Sequence, residues 1–319
     1  MINLLFLLLG VGLLTIGGEA LIRGSLAVSK RFGVSPLLSG LVIVGFGTSA
    51  PELVVSVNAA LNQQPDIAIG NVVGSNIGNV LLILGICALI APMTVKPLAL
   101  RRDAVIVVAA SIFFLVLVGG SSLGRADGVF LLIALLVYLI WAYRSERIHT
   151  PSAELNIAEA EEVHELPKSV GWTVTAVVIG LLLLISGSQV LLIGAVGIAE
   201  SLGVSEAVIG LTLVAVGTSL PELSISVIAT LRRHADVAIG NILGSNIFNL
   251  LGILGVSALL QPLPVHMRIL QFDQWVMLAS SVLLFLFLYT GRRLSRLEGG
   301  VLLTAYGVYL GLSFTAFEG

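Results

Sequence analysis

Charge is what this sequence has least of. Of its 319 residues 11% are Asp, Glu, Lys or Arg, while 57% are hydrophobic. A soluble domain carries about a quarter charged residues. With a mean hydropathy of +1.08, the shortfall argues against a soluble domain and for an all-α polytopic membrane protein, with most of the chain in spanning helices. Cysteine is nearly absent too. The single Cys87 lies in an apolar run and excludes an intrachain disulfide. The opening "MINLLFLLLGVGLLTIGG" has neither a basic start nor an obvious cleavage site, so it reads as a retained first helix and not as a signal peptide. The net charge of −2 says little, because the few charges fall mostly in loops. Glycine, in contrast, is plentiful at 35 residues, as close helix packing in lipid requires.

Apolar stretches of spanning length fall near 2–28, 36–61, 67–92, 103–120, 127–143, 171–198, 206–231, 237–262, 272–290 and 298–316, about ten helices. One polar segment at 145–170 interrupts them. It is Glu-rich with Pro at both ends and reads as a solvated, cytoplasmic acidic linker. It divides two copies of one unit, 1–144 and 171–319. "GVSPLLSGLVIVGFGTSAPELVVSV" returns as "GVSEAVIGLTLVAVGTSLPELSISV", and "DIAIGNVVGSNIGN" as "DVAIGNILGSNIFN", at a fixed offset of 170 residues.

Five helices is an odd number, so the second copy must enter the membrane from the opposite side. Basic residues test this. With both termini outside, the cytoplasmic loops hold Lys30, Arg31, Lys96, Arg101, Arg102, Arg144, Arg147, Lys168, Arg232, Arg233, Arg292, Arg293 and Arg296; the outer loops hold only Arg125 and Arg268. The bias reverses between copies, since Arg232 and Arg233 are inside where their counterparts Asn62 and Gln63 are outside. Two inverted five-helix repeats with interrupted helices point to alternating access, with the site at the repeat interface.

The interruptions carry the chemistry. Pro51 and Pro221 have no N–H to donate to the carbonyls of Gly47 and Gly217, and glycines loosen the same turns. A short non-helical stretch with outward carbonyls is expected there, beside Thr48, Ser49 and Glu52 and beside Thr218, Ser219 and Glu222. Hard cations take such oxygens. Asn71, Ser75 and Asn79 follow at successive i, i+4 steps, as do Asn241, Ser245 and Asn249, each set lining one helix face. The absence of Cys and His from these strings argues against zinc or copper. Pro, Gly and hydroxyl residues also kink membrane helices for packing alone. Two intramembrane glutamates at matched places, each beside an oxygen-rich helix, weigh against that simpler reading. Asp66 and Asp236 stand where helix N-caps are expected.

The GTS-x-PE and GN-x-x-GSN-x-x-N strings, each present twice, resemble the α-repeats of the cation/calcium exchanger superfamily, and its prokaryotic sodium/calcium exchanger branch fits the short central loop. The resemblance implies that Glu52 and Glu222 together bind calcium and that Thr48 and Thr218 supply backbone oxygens. It also implies that the carbonyls of Gly45 and Ala215 meet sodium, that Ser75 and Ser245 lend hydroxyls, and that Asn79 and Asn249 flank the central site. Some members have Asp at the position of Asn249, including potassium-dependent ones; Asn at both positions leaves two central carboxylates. Proton-coupled members usually lack this Ser-x-Pro spacing.

The expected function is therefore a plasma (inner) membrane antiporter that exchanges calcium for sodium. A calcium/proton exchanger on the same scaffold is the alternative, and a cation channel a more distant one. No enzyme activity, cofactor or nucleic-acid partner is expected. The partners are calcium and sodium ions and the lipid bilayer, and no oligomer is required.

Overall fold

The computed structural model describes residues 2–94, 97–148, 169–202, 215–291 and 293–315. The helices are α1 (Ile2–Phe32), α2 (Pro36–Thr48), α3 (Ala50–Leu61), α4 (Pro65–Ile90), α5 (Pro97–Leu117), α6 (Arg125–Ile148), α7 (Val170–Ser201), α8 (Ala215–Thr218), α9 (Leu220–Leu231), α10 (Ala235–Leu260), α11 (Ile269–Thr290) and α12 (Arg296–Thr315). Seven of them, α1, α4, α5, α6, α7, α10 and α11, contain stretches long and apolar enough to cross a membrane, and α2 with α3 makes an eighth bent by 45°. The other two of the expected ten are not established by length and composition. Residues 206–214 of the 206–231 segment lie outside the described residues, leaving the short apolar α9. In α12, Arg296, Glu298 and several glycines lower the hydropathy. Most of the acidic linker, 149–168, also lies outside the described residues.

Burial orders the bundle. The apolar cores of α10 and α4 are 83% and 67% buried inside the protein, whereas those of α1 and α7 are 33% and 22% buried. The two helices with the repeated Asn and Ser residues are therefore the centre, and the long apolar pair lies at its edge. α1 and α7 touch backbone to backbone. A Cβ added at Gly17 would sit 2.9 Å from the Gly180 carbonyl, and one at Gly180 would sit 2.8 Å from the Leu21 nitrogen. Only glycine allows that approach. The one acid of α1, Glu19, is ion-paired to Arg23 at 2.9 Å and to Arg232 at 3.1 Å, tying α1 to the end of α9.

Contacts are exchanged between the two copies. Four two-residue strands, β1 (Met93–Thr94), β2 (Ser122–Leu123), β3 (Leu263–Pro264) and β4 (Arg293–Leu294), make two antiparallel ladders. Met93 opposes Leu294, and Leu123 opposes Leu263. These are the same pairing with the copies interchanged. Ser111 meets its own counterpart, Ser281, at 3.2 Å.

The chain also departs from regular helix where the sequence suggested it would, but in a different form. The expected non-helical stretch at GTS-x-PE is a break of one residue, at Ser49 (φ −81, ψ 8) and again at Ser219 (φ −89, ψ 6). The first turn of a helix tolerates proline, so Pro51 and Pro221 stand second in α3 and α9 with little cost. The wider distortions are π turns over Gly40–Gly45, Asn79–Ile83, Phe248–Ile253 and Ile269–Asp273. Such turns concentrate at functional sites, and three of these contain Gly45, Asn79 or Asn249. The N-cap reading of Asp66 and Asp236 is corrected. Gln64 and His234 occupy the cap positions, and the aspartates lie inside the first turn. Their charge there favours the helix N-terminus without capping it.

Candidate functional site

Breaking α2 from α3 at Ser49, and α8 from α9 at Ser219, brings the two glutamates into one buried cluster. Glu52 and Glu222 are each 1% exposed. Each is held by a serine of the opposite copy: Ser49 Oγ donates to Glu222 Oε1 at 2.9 Å, and Ser219 Oγ donates to Glu52 Oε1 at 3.2 Å. The other oxygen of each carboxylate, Oε2, is buried and has no hydrogen-bond partner. An uncompensated buried carboxylate costs several kcal/mol, a cost that a bound cation would offset.

Among the residues expected at the site, two more oxygens share that condition. Asn79 Oδ1 and Asn249 Oδ1 are buried without a partner, although both amide nitrogens are engaged. Asn79 Nδ2 donates to Asn246 Oδ1 at 3.0 Å, and Asn249 Nδ2 donates to Ser75 Oγ at 3.0 Å. These four oxygens, two of carboxyl groups and two of carboxamides, are of the type that a hard divalent cation takes as ligands. A donor set of this kind without sulfur or imidazole suits calcium and sodium over zinc or copper.

The remaining residues expected at the site divide into two groups. Thr48 donates to Gly45 O at 3.3 Å and to Asn241 Oδ1 at 3.1 Å; Ser245 donates to Gly45 O at 3.1 Å. The Gly45 carbonyl also accepts the Ser49 N–H at 3.2 Å. That oxygen therefore faces hydroxyls from both copies. Gly45 has no room for a side chain, because a Cβ would lie 2.8 Å from Asn241 O and from Ser245 N. Ser75 donates to Val72 O at 3.1 Å. Thr218 and Ser219 are half-buried beside the second break, and Ala215 begins α8.

Asn71 and Asn241 have a different role from their helix-mates. Asn71 Nδ2 donates to the Glu52 carbonyl at 3.2 Å and to Ser56 Oγ at 2.9 Å; Asn241 Nδ2 donates to the Glu222 carbonyl at 3.2 Å and to Ser226 Oγ at 2.9 Å. They clamp the glutamate-bearing helices onto α4 and α10. The sequence reading missed Asn76 and Asn246 as individual residues, though both stand inside the repeated GSN string. It also missed two buried aspartates. Asp103 accepts from Arg102 at 2.7 Å and from Tyr138 at 2.9 Å, and Asp273 accepts from Arg268 at 3.1 Å and from Tyr309 at 3.0 Å. The 170-residue offset between them was the available signal.

Comparison with known proteins gives the family of the whole chain. The model of the family described as sodium/calcium exchanger protein matches residues 2–144 and 172–315. The sodium/calcium exchanger MaX1 of Methanosarcina acetivorans is 32% identical over 345 residues, covering 98% of this chain and 99% of that protein. The inner membrane protein YrbG of Escherichia coli is 34% identical, covering 93% of this chain and 92% of that protein. A solved structure of the sodium-calcium exchanger NCX_Mj, soaked with 2.5 mM Na+ and 0.1 mM Ca2+, superposes with a TM-score of 0.82 at 32% identity and covers 98% of both chains. With both the matched residues and the full-length likeness in hand, this chain belongs to the sodium/calcium exchanger family.

Proposed function

We propose that this protein is an alternating-access antiporter that extrudes calcium across the plasma membrane in exchange for sodium. Glu52 and Glu222 bind the calcium ion, with Asn79 and Asn249 supplying neutral oxygens. Sodium ions take the same carboxylates in turn, helped by Ser75, Ser245, Thr48, Thr218, Ser49, Ser219 and the carbonyls of Gly45 and Ala215. The observation that carries the reading is the crossed pair of serine–glutamate hydrogen bonds, which leaves one free oxygen on each buried carboxylate. Bound calcium neutralises both charges, and the loaded site can then be presented to either side.

The test is calcium uptake by proteoliposomes loaded with sodium or with choline, at equal pH on both sides. Uptake should require internal sodium. Uptake that ignores sodium and follows an imposed pH gradient would assign the counter-ion to protons.

In the same reading, 1–144 and 171–319 are inverted five-helix repeats, 145–170 is a cytoplasmic linker, and both termini are outside. The distribution of Lys and Arg supports this orientation. In a Cys87→Ala background, a cysteine at Gln64 should react with an impermeant thiol reagent from outside, and one at Arg233 only from the cytoplasm. Labelling of both from the same side would overturn the inversion.

A further inference from the structure

An asparagine amide offers a cation its oxygen or its nitrogen, depending on a rotation of half a turn. Which one it presents is decided by the neighbours of the amide. At Asn79 that decision can be traced to a backbone group. The Asn76 carbonyl can only accept, and it takes Asn246 Nδ2 at 3.2 Å. Asn246 Oδ1 is thereby turned towards Asn79 and can only accept, so it takes Asn79 Nδ2 at 3.0 Å. The oxygen of Asn79 is left pointing away, buried and without a partner. All of this happens out of water, with Asn76, Asn79 and Asn246 each 1% exposed.

Asn249 has a second acceptor: its Nδ2 reaches Asn76 Oδ1, the counterpart of the Asn246 oxygen, only at 3.5 Å and is held more closely by a serine. The Ser75 hydroxyl donates to Val72 O at 3.1 Å, so towards Asn249 it acts as an acceptor and takes Nδ2 at 3.0 Å. Asn79 makes no matching bond to Ser245, whose hydroxyl donates to the Gly45 carbonyl at 3.1 Å. Each amide is thus met by an asparagine of the other copy, but Asn249 has the Ser75 hydroxyl as well, whereas Asn79 depends on Asn246.

We propose that Asn246 is a positioning residue that fixes the Asn79 carboxamide oxygen-first towards the transported cation, without touching the cation itself. The proposal rests on the reading of Glu52 and Glu222 as the ion site. Its consequence is a specific epistasis. In an Asn79→Asp background both terminal atoms are oxygens, so rotation no longer matters and Asn246 becomes dispensable for presenting a ligand.

The experiment measures equilibrium calcium binding in sodium-free buffer, together with KM and kcat for calcium exchange after reconstitution. The variants are Asn246→Ala, Asn79→Asp, the double substitution and Glu52→Gln. Outer partners of a metal ligand are typically worth 10- to 100-fold in affinity. Asn246→Ala should weaken calcium binding about tenfold, raising KM more than it lowers kcat. In the Asn79→Asp background the same change should cost less than about twofold. Asn246→Asp keeps an acceptor for Asn79 Nδ2 and should rescue binding to within about threefold of the parent. If the alanine variant folds poorly, Asn246→Leu preserves the volume and serves in the same cycle. An equal loss in both backgrounds, or no loss in either, would overturn the positioning role. Undiminished calcium binding by Glu52→Gln would instead overturn the site reading, and this proposal with it.

Discussion

Replacing Glu52 or Glu222 by glutamine should each abolish calcium transport while leaving a folded, inserted protein. The amide has nearly the shape of the carboxylate and can still accept from Ser219 or Ser49 through its oxygen. Packing is thus preserved. What changes is the charge. The parent site carries two carboxylates, each 1% exposed, and calcium brings them to formal neutrality. With one carboxylate left, the calcium-loaded site carries a net positive charge among apolar helices. Insertion scales put one charge at the centre of a membrane helix at roughly 2.5–3.5 kcal/mol, about a hundredfold in population. The glutamine NH2 also takes the place of an oxygen ligand, since it can only donate to a cation's competitors and never coordinate. Initial rates of radioactive calcium uptake should fall at least about a hundredfold in either variant, with normal elution from a sizing column as the folding control. Near-parental uptake by one variant would show that the two glutamates do not share one ion.

Calcium uptake should also vanish when the opposite side of the membrane holds neither sodium nor calcium, and it should respond to voltage. The empty site leaves two buried carboxylates with one unpartnered oxygen each. At roughly 2.5–3.5 kcal/mol apiece, moving the gating helices past that pair costs about 6 kcal/mol, some four powers of ten in rate. A carrier with that barrier exchanges but does not leak. Two sodium ions restore neutrality. If a third binds among Ser75, Ser245, Thr218 and the carbonyls of the broken helices, the sodium-loaded form is positive by one charge. Calcium extrusion then carries one positive charge inwards per cycle. A membrane potential of 100 mV is worth about 2.3 kcal/mol per charge, about fiftyfold in the calcium gradient at equilibrium. Asn249 adds no third carboxylate, so potassium should be neither needed nor carried. The measurement is calcium uptake by sodium-loaded vesicles with voltage clamped by an ionophore selective for an uncoupled ion. Uptake that ignores voltage would remove the third sodium, and uptake sustained without any trans ion would remove obligatory exchange.

Much of this molecule was legible in the sequence because the signals are local. Poverty of charge and long apolar runs report membrane helices, since lipid leaves a chain few other ways to satisfy its backbone. A proline within such a run reports a break, since it has no N–H to donate. The recurrence of Thr48, Ser49, Glu52, Ser75 and Asn79 170 residues later reports duplication without any coordinates. Other features were out of reach because they depend on who the neighbour is. Asp66 and Asp236 were expected as caps, but the chain turns at Gln64 and His234 and carries the aspartates into the helix. The i, i+4 spacing grouped Asn71 with Ser75 and Asn79, yet Asn71 turns to the backbone of α3. A helical wheel gives direction, not partners.

The membrane class, the duplicated unit and the residue types proposed to meet the ion could be read from the order of amino acids, because composition, proline chemistry and repetition act along the chain. The folded chain was needed to show that each glutamate is held by the serine of the other copy, that one oxygen of each stays free, and that Asn79 gives its amide nitrogen to Asn246. Those outcomes belong to pairs of side chains between 160 and 180 residues apart in the chain. A hydrogen bond forms only where folding brings a donor and an acceptor within about 3 Å, and no spacing read along one strand of sequence encodes that meeting.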